Sequence, residues 1–266
     1  MRSFLRSSLV VPLLVCACAL AAFSLWQRLA PVEPEKAAPA VLRVGMEDHY
    51  PPMAFMDAQG RHTGFDHDMA EALCHQINAK CEFVIGSFDD ILRMMSAGEL
   101  DILVAGLAAL EPRKQFMNFT EPYYSSSTIY IGRPGLAISE DGLRGKRLAA
   151  QIGSMQLDIL KKNWSDIATV LEVPFKDIFG LLARGEVDVV LVDAVASYDF
   201  LKSEAGRDFS MLGDPLQIND VLSLARIGVR KSDRELTEAL NRAIKTLRVN
   251  GEYNRITRAY FPFNIY

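Results

Sequence analysis

One local pattern occurs twice in this chain and constrains its fold more than any other feature. An amphipathic segment runs into Gly98-Glu-Leu-Asp101 and a short apolar stretch, and a second such segment runs into Gly185-Glu-Val-Asp188 and another apolar stretch. A glycine just past the last turn is typical of a helix end. The apolar stretches are too short for helices and too apolar for exposed edges, so they predict strands buried on both faces. The sequence therefore predicts an α/β fold.

The two copies of the pattern differ in the residues that come after the strand. In the first copy, a loop of small residues that includes Gly106 and Ala108 leads into a second predicted helix, with Arg113 in its first turn. The second copy ends directly on Asp193. Ligands of open α/β sheets bind beyond the carboxyl ends of the strands, and an arginine beside uncovered loop amides suits a carboxylate. Any α/β protein can repeat this order of helix, glycine and strand without a functional reason. A cation and an anion at equivalent strand ends, however, suit a zwitterion held between two lobes.

Side chains near the ends of two other predicted strands are further candidates for the same edge. Glu47 and Tyr50 follow the strand predicted from residue 41, and Phe88 follows the strand predicted from residue 81. The alternative for Tyr50, which precedes two prolines, is ordinary loop packing. Between these two strands, Asp66 is predicted to be the N-cap of a helix.

Residues 1–30 are predicted to lie outside the fold. Two arginines precede a long apolar run, which is the pattern of an export signal, and the run approaches the length of about 18 residues that spans a bilayer. A cleaved signal peptide and a retained membrane anchor both fit this pattern. Residues 31–40, rich in Pro, Ala and Glu, are predicted to be a linker, and the folded part is expected outside the cytoplasm.

Cys74 and Cys81 are the two cysteines outside the N-terminal apolar run. In an oxidising compartment such a pair would close as a disulfide, with a modest gain of roughly 2.5 kcal/mol because the loop is short. A metal site is the alternative, but none of the 4 histidines has ligand spacing to this pair,. We therefore expect no metal site.

Glycine and proline clusters divide the rest of the chain. A Gly-Arg-Pro-Gly turn at residues 132–135 marks a boundary, after which residues 132–223 carry an α/β pattern of their own and are predicted to form lobe 2. Residues 41–131 and 224–266 are predicted to form lobe 1. The sequence has none of the common catalytic motifs, and its net charge of −4 gives no indication of a nucleic-acid partner,.

Several motifs spread over residues 41–266 carry a family resemblance. They are Gly64-Phe-Asp-His-Asp-Met-Ala, the spacing of Cys74 and Cys81, Phe88-Asp, Gly98-Glu-Leu-Asp, Arg113, Pro122-Tyr-Tyr, Gly185-Glu-Val-Asp with Asp193, Ile227-Gly-Val-Arg-Lys and Tyr260-Phe-Pro-Phe-Asn-Ile-Tyr. With these motifs the chain resembles the bacterial extracellular solute-binding proteins of family 3, the receptors of polar amino-acid uptake ABC transporters, in particular the lysine/arginine/ornithine- and histidine-binding members. The resemblance implies a two-lobed periplasmic-binding-protein fold of type II, with two hinge strands and a ligand cleft between the lobes.

The resemblance also implies roles for the candidate residues. Arg113 would bind the α-carboxylate of the ligand, and Asp193 would bind its α-ammonium group. Tyr50 and Phe88 would flank the ligand side chain. Glu47 stands where an acid meets the cationic head of the ligand in the lysine/arginine-binding members.

Five further positions belong to the implied ligand site: Gly106, Ala108, Gln151, Ser154 and Met155. The similar members carry hydroxyl groups in the loop before the arginine, where this chain has Gly106, Ala108 and Leu110. Met155 replaces a threonine, and Gln151 replaces an apolar contact, while the backbone amides of Ala108 and Met155 are still able to donate. Each lost neutral hydrogen bond is worth roughly 0.5–1.5 kcal/mol, so we expect weaker binding of an ordinary amino acid, or a different ligand.

The expected function is the capture of an amino acid or similar small zwitterion by hinge closure, and its delivery to the membrane permease of an ABC transporter. The expected location is the periplasm, either free or anchored by the N-terminal segment. We expect a monomer that uses no cofactor, is not an enzyme and binds no nucleic acid. Two alternatives stay open: an enzyme on the same fold, similar to the cyclohexadienyl or arogenate dehydratases, and a membrane-tethered ligand sensor.

Overall fold

The computed structural model describes residues 41–216 and 223–266. Their strands are β1 (Val41–Glu47), β2 (Phe55–Met56), β3 (His62–Thr63), β4 (Lys80–Gly86), β5 (Ile102–Leu107), β6 (Met117–Phe119), β7 (Tyr124–Ser125), β8 (Thr128–Gly132), β9 (Arg147–Gln151), β10 (Thr169–Val173), β11 (Val189–Asp193), β12 (Ser210–Leu212) and β13 (Leu224–Arg230). Their helices are α1 (Phe65–Gln76), α2 (Phe88–Ser96), α3 (Glu140–Leu143), α4 (Met155–Trp164), α5 (Phe175–Ala183), α6 (Ala194–Lys202), α7 (Arg234–Val249) and α8 (Glu252–Tyr260), with a 3₁₀ turn at Arg113–Gln115.

The first sheet has the strand order β4-β1-β5-β13-β6, and β7 pairs with β13. Strand β1 is parallel to both β4 and β5, whereas β13 is antiparallel to β5 and β6. Strand β5 is buried along nearly its whole length, as its apolar sequence predicts, because α1 and α2 both pack against it. The carboxyl ends of β1 and β5 therefore lie at one edge of this sheet.

The second sheet has the strand order β10-β9-β11-β8-β12. Strand β9 is parallel to β10 and β11, whereas β8 is antiparallel to β11 and β12. Helices α4 and α5 pack against β9, and α6 packs against β11. The carboxyl ends of β9 and β11 again lie at one edge.

The repeated Gly-Glu-x-Asp pattern has the same structural role in both sheets. Asp101 accepts hydrogen bonds from the backbone N–H of Arg43 at 2.9 Å and from its guanidinium at 3.1 and 3.2 Å. Asp188 makes the equivalent three bonds with Arg147, and each arginine also donates to the carbonyl of the motif's glycine. The motif therefore fastens the start of β5 to β1, and the start of β11 to β9.

The chain crosses between the sheets earlier than the sequence predicted. Strand β7 pairs with β13 of the first sheet, whereas β8 pairs with β11 and β12 of the second. The predicted boundary between residues 131 and 132 is therefore wrong, and the first crossing lies at residues 126–127. The extended character of this segment was readable from its β-branched residues, but its composition does not reveal which sheet it joins. The return crossing leads from β12 to β13, and residues 217–222 of it lie outside the described residues.

The predicted disulfide is present between Cys74 in α1 and Cys81 in β4, with Cα atoms 5.9 Å apart. It closes the loop that joins this helix to the edge strand of the first sheet. The predicted export segment and linker, residues 1–30 and 31–40, lie outside the described residues. Within the two ranges that the structure describes, no helix combines the length and the apolar character needed to cross a membrane.

Candidate functional site: a cleft between the two sheets

A cavity lies where the carboxyl ends of strands from the two sheets face each other. Glu47 ends β1 and Gly106 lies in β5, while Gln151 ends β9 and Asp193 ends β11. Every residue of the ligand site predicted from the sequence lines this cavity, which we term the cleft. The space between its walls is about 510 Å³ when the open solvent at its mouth is included.

Arg113 reaches the cleft from a single 3₁₀ turn, and not from the longer helix that the sequence predicted. Only 7% of its surface is exposed, and its guanidinium donates to the carbonyl oxygens of Ala108 at 3.2 Å and Gly153 at 3.1 Å. The ring of Phe88 lies 5.5 Å from the guanidinium carbon. Burial lowers the pKa of Arg113 to about 10, so the group stays charged at neutral pH. No carboxylate of the described residues forms an ion pair with it.

Asp193 faces the cleft from the opposite lobe. It holds the N-cap position of α6, but its side chain makes no capping bond. Instead it accepts from the hydroxyl of Tyr50 at 2.8 Å and from Nε2 of Gln156 at 3.0 Å. Burial raises the pKa of Asp193 to about 6, against the effect of these two hydrogen bonds. The half-buried carboxylate thus has two neutral donors and, within the described part of the chain, no cationic partner.

Glu47 is a second buried carboxyl group in the cleft, with 4% of its surface exposed. It accepts a hydrogen bond from Nε2 of Gln151, which comes from the second sheet. Burial raises the pKa of Glu47 well above its usual value, against the effect of this hydrogen bond. A single neutral amide therefore faces a carboxyl group that water scarcely reaches.

Helix α4 begins at the cleft. The hydroxyl of Ser154 caps it by accepting from a backbone N–H of the first turn at 3.1 Å, and donates to the carbonyl of Gln151 at 2.7 Å. This hydroxyl therefore builds the turn and fixes the backbone of Gln151. The first helical residue is Met155, and a helix N-terminus carries unpaired N–H groups and the positive end of the helix dipole. The guanidinium of Arg113, bonded to the carbonyl just before Ser154, lies beside this positive end.

A buried aspartate supports the loop that forms one wall of the cleft. Asp66 is not the N-cap that the sequence predicted, because Gly64 holds that position. Asp66 is fully buried and accepts from the hydroxyl of Tyr123 at 2.7 Å, and that hydroxyl accepts from the N–H of Gly106 at 3.1 Å. Burial raises the pKa of Asp66 to about 7. Gly106 has a φ of +57°, and a Cβ there would lie 2.2 Å from the hydroxyl oxygen of Tyr124, so this position requires glycine,.

Sequence reasoning missed some residues of the cleft. They are Ala105, Tyr124, Ser126, Gln156, Ser223 and Ala225. Gln156 could have been found, because it follows Met155 in the first turn of a helix that was already assigned to the site. Ser126 and Ser223 belong to the two crossings, which are joined by a backbone hydrogen bond of 2.9 Å. No sequence pattern indicates that such connecting segments line a site.

The fold and the cleft define a class of protein. Two α/β lobes are joined by two crossings, and groups of opposite charge face one cleft from different lobes. This is the two-lobed periplasmic-binding-protein fold of type II, which the sequence predicted.

The chain belongs to the bacterial extracellular solute-binding proteins, family 3, whose family model matches residues 42–263. It is 32% identical over 236 residues to the lysine/arginine/ornithine-binding periplasmic protein of Escherichia coli (strain K12), covering 86% of this chain and 91% of the relative. It is 30% identical over 236 residues to the histidine-binding periplasmic protein of Salmonella typhimurium, with the same coverage of 86% and 91%. Its fold is similar to that of an ancestral arginine-binding protein bound to arginine, with a TM-score of 0.76 and 30% identity over 84% of this chain and 98% of the other. The family resemblance predicted from the motifs is thus confirmed.

Proposed function

We propose that this chain binds an α-amino acid with a cationic side chain outside the cytoplasm and delivers it to an ABC transporter. The observation that supports this most is the placement of Arg113 and Asp193. They carry opposite charges, Arg113 is buried and Asp193 is half-buried, and they face one cleft from different lobes without an ionic partner among the described residues. Unpaired buried charges are costly, so a ligand that compensates both is strongly favoured over water.

A zwitterion has the charges that compensate this pair. Its α-carboxylate binds between the guanidinium of Arg113 and the N-terminus of α4, since both attract an anion. Its α-ammonium group binds Asp193, which is held in place by the hydroxyl of Tyr50. A ligand held at both ends in this way bridges the two lobes and stabilises their closed arrangement.

Glu47 supplies the preference for a cationic side chain. The cleft contains one guanidinium and two carboxyl groups, so a zwitterion alone leaves Glu47 without a counter-ion. An amino acid whose side chain carries one positive charge completes the set. The names of the relatives, which include lysine, arginine, ornithine and histidine, agree with this charge balance.

The partner and location in this proposal follow from the family. We propose that the protein acts as a monomer in the periplasm and docks, when closed on its ligand, against the membrane permease of an ABC transporter. Residues 1–30 supply the export signal in this proposal, as a cleaved peptide or as an inner-membrane anchor. The sensor alternative shares the same ligand site and differs only in the partner.

Isothermal titration of the full-length chain with L-arginine, L-lysine and L-histidine tests the proposal. At a hundredfold excess over its dissociation constant, a bound amino acid should stabilise the fold by about 2.7 kcal/mol. Arg113→Ala should weaken binding at least about thirtyfold, because truncating one partner of a buried charged contact costs about 2 kcal/mol or more. The matched control is Arg234→Ala, whose side chain is 91% exposed, and it should bind normally. Failure of all three amino acids to bind, or unchanged affinity in the Arg113 variant, would contradict the proposal.

An enzyme on the same fold is the second candidate. Its support is that Glu47 and Asp193 are cleft carboxyl groups with raised pKa values, which is the state of a general acid. We favour binding without turnover because Asp193 is held by two donors and the named relatives are binding proteins. Incubation of the protein with prephenate or arogenate tests this candidate, and the appearance of an aromatic product would select the dehydratase instead.

A further inference from the structure

Gln151 is the one cleft residue whose side chain joins Glu47 across the two lobes, among the contacts that the structure describes. The two residues end β9 and β1, so each is held by a sheet of its own. The carbonyl of Gln151 is further fixed by Ser154, through the hydroxyl at 2.7 Å and the backbone N–H at 3.1 Å. The backbone that carries the amide is therefore held in place by Ser154.

The hydrogen bond leaves acceptors on both partners. Gln151 donates through Nε2 to one carboxylate oxygen of Glu47. Its Oε1 and the second carboxylate oxygen have no partner among the described residues. These two oxygens are therefore available as acceptors for a ligand, one from each lobe.

We propose that Gln151 is a specificity-determining residue, which together with Glu47 forms a two-acceptor site for a guanidinium group. The inference rests on the proposed function, since it assigns the distal end of the same ligand. A guanidinium presents several N–H donors in one plane, so it can bond to Oε1 of Gln151 and to the free oxygen of Glu47 together. The ammonium group of lysine is a compact charge that matches this planar pair less well.

The polar side chain at this position also supports Glu47 itself. Glu47 is almost completely buried, and the Gln151 amide is the one hydrogen-bond donor that the described residues give it. A hydrocarbon side chain at this position would leave the carboxylate without any donor before the ligand arrives. Its orientation would then be free, and the second acceptor for the ligand would be lost.

Titration of the full-length chain with L-arginine, L-lysine and L-citrulline tests the inference. Citrulline has nearly the shape of arginine but carries no charge. In Gln151→Leu the affinity for arginine should fall about tenfold or more, the loss expected for a hydrogen bond to a charged group. The affinity for lysine should fall less, so the arginine-to-lysine ratio should decrease. A merely structural role of Gln151 would weaken both ligands equally and leave this ratio unchanged.

Two further variants complete the design. Glu47→Gln should abolish the preference for arginine over citrulline, and in the double variant the effect of Gln151→Leu should be smaller than in the single variant, because the two residues act together. Gln76→Leu, the same substitution at an exposed helix end outside the cleft, should leave all affinities unchanged. Circular dichroism and thermal unfolding confirm that each variant is folded.

The outcomes separate this inference from the proposed function. If arginine binds and Arg113→Ala removes binding, but Gln151→Leu keeps the arginine-to-lysine ratio, the role of Gln151 is refuted while the proposed function stands. Additive effects of the two substitutions in the double variant would also refute the two-acceptor site. If the unsubstituted protein binds none of the amino acids, both the function and the inference are wrong.

Discussion

Affinity for arginine is predicted to fall steeply below about pH 6, because Asp193 must be ionised to bind an ammonium group. Burial raises its pKa from 3.8 to about 6, although the hydrogen bonds from Tyr50 and Gln156 oppose the shift. Above this pKa the carboxylate is charged, and the ligand supplies its missing counter-ion. Below it, the ligand must first displace a proton. Binding favours the ionised form, so affinity is full at higher pH and is lost as the pH falls through the pKa.

The size of the effect follows from the same shift. One carboxyl group costs about tenfold in affinity, or about 1.4 kcal/mol, for each pH unit below its pKa. Between about pH 7.5 and pH 5, Asp193 alone should therefore weaken binding about tenfold. Glu47 adds a second dependence, since burial also raises its pKa. The Glu47→Gln variant, with one titrating group fewer, should show the shallower pH profile.

Isothermal titration of the full-length chain with L-arginine over about pH 5 to pH 8 measures this profile, and arginine itself keeps its charges over that range. Near pH 6 binding should release a proton from Asp193, so the heat should differ between two buffers of different ionisation enthalpy. Circular dichroism at each pH checks that the protein stays folded. Equal affinity at both ends of the range, together with a buffer-independent heat, would refute the reasoning about Asp193.

Two further predictions concern stability. Because burial raises the pKa of Asp66 from 3.8 to about 7, its contribution to stability is highest at low pH and declines as the pH rises through this window. The difference in unfolding free energy between Asp66→Asn and the unsubstituted protein should therefore shift by about 3 kcal/mol in favour of the variant from about pH 5 to pH 8, as measured by urea unfolding. The control variant Asp208→Asn, at an exposed position, should show no such trend. Reduction of the Cys74–Cys81 disulfide should lower the unfolding free energy by roughly 2.5 kcal/mol without changing arginine affinity, since neither cysteine lines the cleft. A large change in affinity on reduction would show that the disulfide acts on the site.

Much of the site could be predicted because its residues sit at the carboxyl ends of strands. Arg113 and Asp193 were found from the position of a charge after a buried apolar run, and that rule depends only on strand direction. The resemblance then supplied Gln151, Ser154 and Met155, which lie at the equivalent end of β9. The local order of helix, strand and loop was therefore enough to assign these positions to one site.

The residues that sequence reasoning missed or misplaced depend on contacts between distant segments. Asp66 has the sequence context of an N-cap, but it bonds to Tyr123, a partner 57 residues away. Strand β8 looks continuous with the crossing before it, and only its pairing with β11 and β12 assigns it to the second sheet. Local patterns predict that such segments are extended or helical, and they do not predict which partners complete them.

The repeated motif shows how the fold separates stability from recognition. Asp101 and Asp188 are placed alike and fasten the amino ends of β5 and β11 to their neighbours. At the other ends of those strands the two lobes diverge, one leading to a guanidinium and the other stopping on a carboxylate. Because the common clamp lies a full strand length from the cleft, the residues at the carboxyl ends are free to differ without loosening either sheet. The pair of opposite charges that a zwitterion requires therefore lies at the cleft ends of two strands that share the same clamp at their other ends.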